Sequence, residues 1–241
     1  MYHSITYGDK NTWDDWHLVP SSRPVFLPPD VKTNYVDIPG ADGHIDLSEA
    51  LSGEPLYKNR TGSTTFYVMN GYKPWEHIYS EVMNYLHGQK MNVYLEDDPC
   101  YYYEGRFSVN TWRSEKSRSE IVIDYNISPY KLYRFSSAEK WKWDPFDFLS
   151  GIVREYDNLQ INGTYVLTVV GGRKTVIPNF ITTLDNADNP ILLTWPKNPE
   201  SVYALFDGEL KLPDIKIKDE IVELTFKGKG TVSVDYRGGS L

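Results

Sequence analysis

The chain has 241 residues, of which 40% are hydrophobic and 24% are charged, and its net charge is −8. This length and composition predict one large or two modest folded domains and exclude a disordered chain. The acidic balance argues against a protein that wraps nucleic acid, because neutralising phosphates needs basic surfaces. No apolar run reaches the ~18 residues of a membrane helix, and residues 1–10 lack a secretory signal, so we expect no membrane partner.

Residues 19–40 predict an extended arm or an edge segment. Five prolines punctuate this stretch, at positions 20, 24, 28, 29 and 39, and a proline has no backbone N–H to donate in a central strand. We expect short strand pieces at Pro24–Leu27 and Tyr35–Ile38 and a turn over 39–43, with the loop continuing through 46–49.

One helix is predicted between Pro74, in its first turn, and Gly88, just past its end. Apolar side chains recur between these residues at three- and four-residue steps and form one apolar face, namely Trp75, Ile78, Tyr79, Val82, Met83 and Leu86. The residue patterns before and after the helix predict strands at Gly62–Met69, Met91–Leu95, Tyr101–Trp112 and Glu120–Ile127.

Residues 129–144 mix proline, serine and charge, which indicates a domain boundary. Beyond it, turn signals separate short strands; they are Asn162-Gly163, Gly171-Gly172, 186–190, 196–199, Asp207-Gly208 and 228–230. Asn-Gly and Asp-Gly supply the positive φ angles of tight hairpins. The sequence therefore predicts a mainly β protein with one α-helix and two domains, 1–134 and 135–241, the second an antiparallel sandwich or jelly roll.

No sequence motif for nucleotide binding, metal binding or serine-hydrolase chemistry occurs, so we expect no cofactor, no metal and no enzymatic activity. The aromatic share of 15% leaves one other function class open. A carbohydrate-binding module for host cell-wall glycan would present exposed rings in a shallow groove, and Trp141, Trp143 and Trp195 are the candidates.

A cell-wall glycosidase is the second alternative. Such an enzyme needs a pair of carboxyl groups that flank the scissile bond. Asp97, Asp98 and Glu104 lie around one predicted hairpin and are the candidates for that pair.

Cys100 is the single cysteine, which excludes an internal disulfide.

A succession of motifs runs along the chain: Arg23–Pro29, Val36–Gly43 with its Ile-Pro-Gly-x-Asp-Gly turn, a helix that ends at Gly88, Val93–Pro99, Tyr102–Arg106 and the closing Val232–Leu241. Their order and spacing resemble the distal tail protein (Dit) family of long-tailed phages, the siphoviruses, and of prophages of Gram-positive bacteria. The resemblance spans nearly the whole chain.

The resemblance implies an N-terminal domain akin to tail-tube proteins and a galectin-like C-terminal β-sandwich. It also implies a virion component at the tail tip, made in the cytoplasm of the host bacterium. Dit proteins form a hexameric ring, the baseplate hub, which joins the tail tube to the tail-associated lysin or fibre hub. Tape-measure and receptor-binding proteins are further expected partners.

A ring of this kind has a channel through which DNA passes only in transit. A basic lining would hold phosphates, so we expect the N-terminal domain to supply a neutral to acidic lining. Residues 1–134 carry a net charge of −5. The candidate lining or interface residues are Asp97, Asp98, Glu104, Glu115 and Glu120.

The proline-rich arm suits a strap that clasps a neighbouring subunit, because a stiff segment loses little entropy on ordering. An arm that packs on its own domain is the alternative interpretation. The residues expected to make the arm's contacts are Pro24, Phe26, Leu27 and Pro28.

Overall fold

The computed structural model describes residues 2–69, 73–114, 119–139 and 156–241. It is mainly β, and the described residues contain one α-helix, so the predicted fold class is confirmed. The chain divides into two compact units, 1–131 with Leu241 and 132–240, which we call the N-terminal and C-terminal units. The tail-tube-like domain over 1–134 and the galectin-like sandwich over 135–241 stay predictions.

The N-terminal unit holds nine strands and the helix among its described residues. Seven of the strands form one antiparallel sheet in the order β2-β1-β7-β8-β9-β6-β3, and β4 pairs with β5 in a separate ribbon. The elements are β1 (Ile5–Tyr7), β2 (Lys10–Asn11), β3 (Leu18–Pro20), β4 (Tyr35–Asp37), β5 (His44–Asp46), β6 (Arg60–Val68), α1 (Trp75–Leu86), β7 (Lys90–Leu95), β8 (Tyr101–Ser114) and β9 (Ser119–Ile127).

Helix α1 begins after Pro74, and Gly88 follows its end with a φ of +75°, as the sequence predicts. Its buried side chains are Ile78, Val82 and Leu86, which lie four residues apart and face the sheet's core. Strand β9 shows the corresponding period of two, with its odd-numbered residues from Ser119 to Ile127 buried. Helix and sheet therefore close one hydrophobic core.

The predicted strand piece at Pro24–Leu27 is wrong, because the last ladder bond before it is donated by the Ser21 N–H to the Thr65 carbonyl (2.8 Å). Beyond Ser21 the prolines remove the donors that would continue the ladder. The piece at Tyr35–Ile38 does form, as β4. Its partner β5 was missed, since the sequence analysis places Asp46 in a loop.

The C-terminal unit holds the remaining described strands. Five of them run in the order β14-β13-β16-β12-β15, β11 pairs with β16, and β10 pairs with β17. The elements are β10 (Lys131–Tyr133), β11 (Leu159–Val170), β12 (Asn179–Leu184), β13 (Ile191–Trp195), β14 (Asn198–Leu205), β15 (Gly208–Lys211), β16 (Ile221–Asp235) and β17 (Gly239–Ser240). Their inward side chains form a second hydrophobic core.

Two of the predicted turns in this unit are wrong. Asn162-Gly163 lies inside β11, and 228–230 lie inside β16. Along one edge β16 pairs with β11, whereas its other edge pairs first with β13, up to Lys227, and then with β12, from Gly230 onward. Strand β16 therefore changes partner at these glycines instead of reversing there.

The physical reason is the close approach of two strands at the point of change. Gly228 and Gly230 have φ angles of +156° and +143°, and a Cβ on Gly230 would lie 2.4 Å from the Thr183 carbonyl oxygen. Only glycine fits such a position, because it has no Cβ and adopts positive φ freely. These glycines do indicate a change of chain direction, but the change is a bend within a strand and not a hairpin turn.

Candidate interaction surfaces

An arm leaves the N-terminal unit after Phe26 and returns at Arg60. We call residues 27–59 the arm, and none of them is buried. A two-stranded ribbon without a packed face is marginally stable by itself in water. The arm therefore has no core of its own.

The arm is built on the β4–β5 ribbon, in which Val36 lies opposite Ile45. The tip is a turn over 38–43 that uses Gly40 and Gly43 at φ angles of +84° and +77°. Towards the base, the ladder continues with the Lys32 N–H bonded to the Leu56 carbonyl at 2.7 Å. At ~3.3 Å per residue, the limb over 30–37 extends about 26 Å.

The surface of the arm is both apolar and acidic. Nine of its large hydrophobic side chains are at least 41% exposed, namely Leu27, Val31, Tyr35, Val36, Ile38, Ile45, Leu47, Leu51 and Leu56. Residues 27–59 also carry six acidic and two basic side chains, a net charge of −4. Apolar surface of this extent marks an interaction site.

The base of the arm, in contrast, is fixed in the core of the N-terminal unit. Phe26 is 4% exposed and packs edge-on against Tyr103 and Tyr125, with ring centroids 4.7 and 4.8 Å apart. The Leu27 N–H donates to the Tyr125 hydroxyl at 3.1 Å. Opposite Tyr125 lies Gly62, where any side chain would collide with that hydroxyl.

Arg60 closes this base where the arm returns. Its guanidinium is buried, donates from Nε to the Pro129 carbonyl (2.8 Å) and from Nη1 to the Leu27 carbonyl (3.3 Å), and lies 5.6 Å from the Tyr103 ring centroid. Burial lowers the pKa of Arg60, although an arginine stays protonated. Arg60 therefore joins the departure and the return of the arm.

Sequence reasoning missed Arg60, although a signal for it exists. In strand β6, the alternation that places Phe66 and Val68 on the core face also places Arg60 on that face. A charged residue on the core face of a strand indicates a specific buried partner.

Asp97, in the turn between β7 and β8, binds a residue that precedes the arm. Its carboxylate accepts from His3 Nδ1 at 2.9 Å and from Arg23 Nε at 3.1 Å. Burial alone would raise the pKa of Asp97, but these hydrogen bonds and the charge of Arg23 outweigh it and hold the pKa below its ordinary value of 3.8. Asp97 thus holds the N-terminus and the chain before the arm together.

Two of the other predicted acidic residues, Asp98 and Glu104, also have positively charged partners. Asp98 accepts from Lys131 at 2.7 Å, and Glu104 lies 2.5 Å from the Lys90 ammonium. Glu120 lies opposite Arg113 in the β8–β9 register. Glu115 lies outside the described residues.

Their placement along a channel stays a prediction, because it depends on an assembly. For a glycosidase, the partners of Asp97 within its own chain also matter. The lowered pKa of Asp97 favours its charged form, which disfavours the general-acid role that such an enzyme requires. The glycosidase alternative therefore gains nothing from Asp97.

The four residues expected to make the arm's contacts divide into two pairs. Pro24 and Phe26 are buried in their own unit, so the interpretation that the segment packs on its own domain holds for the residues just before the arm. Leu27 and Pro28 are exposed and stay candidates for contacts with a neighbour.

The predicted glycan-facing tryptophans gain no support. Trp195 is 3% exposed and belongs to the C-terminal core, so the prediction that it faces a glycan is wrong. Strand β13 places its ring inward with Ile191 and Leu193, the alternate residues of the strand that belong to the same core. Trp141 and Trp143 lie outside the described residues.

Two further observations concern the described residues alone. Within the four described ranges, no three His, Cys, Asp or Glu side chains are grouped so that they could hold a metal ion. No helix in the same part of the chain is long and apolar enough to cross a membrane.

Comparisons with known proteins find a likeness in structure. No family model matches the chain, and no curated protein matches it in sequence. Among solved structures, the chain is similar to the crystal structure of SPP1 Dit (gp 19.1), described as a paradigm of the hub adsorption apparatus in phages that infect Gram-positive bacteria. The TM-score is 0.63 and the identity 10%, over 98% of this chain and 99% of that chain. The two proteins share a fold along their whole length.

Proposed function

We propose that this chain is a structural subunit of a phage tail tip, a Dit-like hub protein without catalytic activity. Its N-terminal unit forms a hexameric ring, and the arm of each copy clasps its neighbour. The ring joins the tail tube to the tail-associated lysin or fibre hub, and tape-measure and receptor-binding proteins are further partners. The protein is made in the host cytoplasm and incorporated into the virion.

The observation that carries the proposal is the arm together with the end-to-end likeness in fold. A likeness that covers 98% and 99% of the two chains includes both units in the same order. The arm has exposed apolar side chains that its own unit does not cover. A second copy that covers them gives this segment the packed face that it lacks.

The proposed channel lining is the face of the β7-β8-β9-β6 sheet that points away from the core. One row across this face, in register, is Lys90, Arg106, Asn126 and Thr61. The next row along the strands is Ser108, Asp124 and Ser63.

The charges of this face balance one another or are bound locally. Lys90 pairs with Glu104, Arg106 donates to the Gly88 carbonyl, and Asp124 accepts from Asn110 at 2.7 Å. A polar face without excess positive charge would release few counterions to DNA, so DNA in transit would not be retained.

Light scattering on the purified chain tests the ring and the arm together. The expected mass at high concentration is about six times 27.9 kDa. The double variant Val36→Ser, Ile45→Ser removes a cross-strand apolar pair that is 42% and 46% exposed. We expect it to remain monomeric with an unfolding free energy within about 0.5 kcal/mol of the parent.

The matched control is Val202→Ser with Ile221→Ser, which makes the same chemical change at exposed positions of the C-terminal unit. The control should assemble as the parent does. A parent chain that is monomeric up to its solubility limit, or an arm variant that assembles normally, contradicts the proposal.

A further inference from the structure

The core of the N-terminal unit is open where β8 passes the helix. The β8–β9 register shifts by one residue between Val109 and Trp112, and this bulge places Trp112 opposite Ile121. Ile121 is fully buried on the core face, yet Trp112 is 48% exposed. The core side of the sheet therefore extends to a tryptophan that its own chain leaves half uncovered.

Two aromatic side chains of α1 join Trp112 there. The ring centroid of Trp112 lies 5.7 Å from that of Trp75 and 4.9 Å from that of Tyr79. Trp75 and Tyr79 are partly buried and pack against the hydrophobic core. We call Trp75, Tyr79 and Trp112 the aromatic patch, a surface that continues the core outward.

A closed ring requires two different surfaces on every copy. Neighbours in a ring meet head to tail, so a surface on one copy contacts a different surface on the next. The arm is the first such surface. Outside the arm, the exposed large hydrophobic residues of the described N-terminal unit are Tyr2, Val25, Met69, Trp112 and Leu241. Among these five described residues, only Trp112 packs against two other aromatic rings.

Building on the proposed ring, we propose that the aromatic patch of each copy receives the β4–β5 ribbon of a neighbouring copy. The ribbon is narrow, with three residues in each strand, and it presents Val36 and Ile45 side by side on one face, where aromatic rings can cover them. Clustered tryptophan and tyrosine side chains dominate the energy of interfaces of this kind. The bound ribbon then covers the exposed edge of the hydrophobic core at the aromatic patch.

Site-specific photo-crosslinking tests this pairing. Val36 is replaced by p-benzoylphenylalanine, at a position that is 42% exposed and lies beside Ile45 on the face proposed to bind. After irradiation of the assembled chain, mass spectrometry should find intermolecular adducts on peptides that contain Trp75, Tyr79 or Trp112. The same probe at Phe206, which is 59% exposed in the C-terminal unit, should leave these peptides unmodified.

Trp112→Ser supplies the second measurement. We expect it to weaken self-association about 30-fold, whereas Ile221→Ser leaves self-association unchanged. Because Trp112 also contacts Trp75 and Tyr79 in its own chain, the variant's thermal unfolding midpoint should fall by only a few degrees, so the chain stays folded in the association assay.

The outcomes separate this inference from the proposed function. Rings whose Val36 adducts lie elsewhere, or whose assembly is unaffected by Trp112→Ser, overturn the patch and leave the ring in place. A chain that never self-associates overturns both.

Discussion

The two units differ in how much of their chain is covered by their own fold. In the described part of the C-terminal unit, no run without a buried residue exceeds nine residues, whereas the arm extends for 33 residues without one. The C-terminal unit thus closes its own core, even at the bend in β16. The N-terminal unit fixes the base of its arm and leaves the rest exposed.

This difference indicates two kinds of interaction energy. Changes within the C-terminal core or at the base of the arm should alter folding, because those contacts lie within one chain. Changes along the arm should alter association with little effect on folding, because no residue there is buried. Variants that separate folding from association are therefore the sharpest tests of the comparison.

The largest loss of folding stability is expected at the bend in β16. Gly230→Ala would place a Cβ 2.4 Å from the Thr183 carbonyl oxygen at a φ of +143°, so the backbone must shift. We expect a loss of about 3 kcal/mol in the free energy of unfolding, measured by urea denaturation.

Gly163→Ala is the matched control for this variant. Gly163 also has a positive φ, +95°, but no atom lies within 4 Å of an added Cβ. Its expected loss is about 1 kcal/mol, from backbone conformation alone. Equal losses in the two variants would show that close strand approach does not fix the bend.

An intermediate loss is expected at the base of the arm. Arg60→Met keeps the length of the side chain but leaves the carbonyls of Leu27 and Pro129 without a charged donor. We expect a loss of about 2 kcal/mol by urea denaturation and faster proteolytic cleavage of the arm. Arg113→Met, at an exposed position of β8, should change stability by less than about 0.5 kcal/mol. Unchanged cleavage of the arm in Arg60→Met would mean that Arg60 does not fix its base.

The smallest effect is a change in pH dependence at Asp97. Its folded pKa lies below the ordinary value of 3.8, so the ionised form stabilises the fold above that pH and the contribution is lost as pH falls through the folded pKa. Asp97→Asn should be less stable than the parent by about 1 kcal/mol at neutral pH, and the gap should close below about pH 4. Asp42→Asn, on the exposed turn of the arm, is the control, and it should leave the stability at neutral pH unchanged. A gap that persists unchanged in acid would exclude ionisation of Asp97 as its cause.

The sequence predicts elements well where local spacing decides the structure. The apolar period between Pro74 and Gly88 predicts α1, and the alternation in β9 predicts its buried face. The predicted turns at Gly163 and Gly230 are wrong, because the sequence does not distinguish a glycine with positive φ in a hairpin turn from one within a strand. The difference lies in which strands pair with β16, a long-range property.

The same limit applies to the candidate interaction surfaces. The prolines predict an extended segment over 19–40, and its strand β4 and its turn follow from the sequence, whereas its return through β5 does not. The contacts of Arg60 with Leu27 and Pro129 and the bulge that aims Trp112 depend on distant partners. The residues that neighbour Arg60 and Trp112 in the sequence do not indicate which distant residues these side chains contact.

Electron-microscopy images of the purified chain show whether the arm is an assembly element. We expect six-fold rings with a central channel, in which the density of each arm crosses onto the adjacent subunit. Particles of single chains at every concentration, or rings in which each arm folds back onto its own unit, would contradict it.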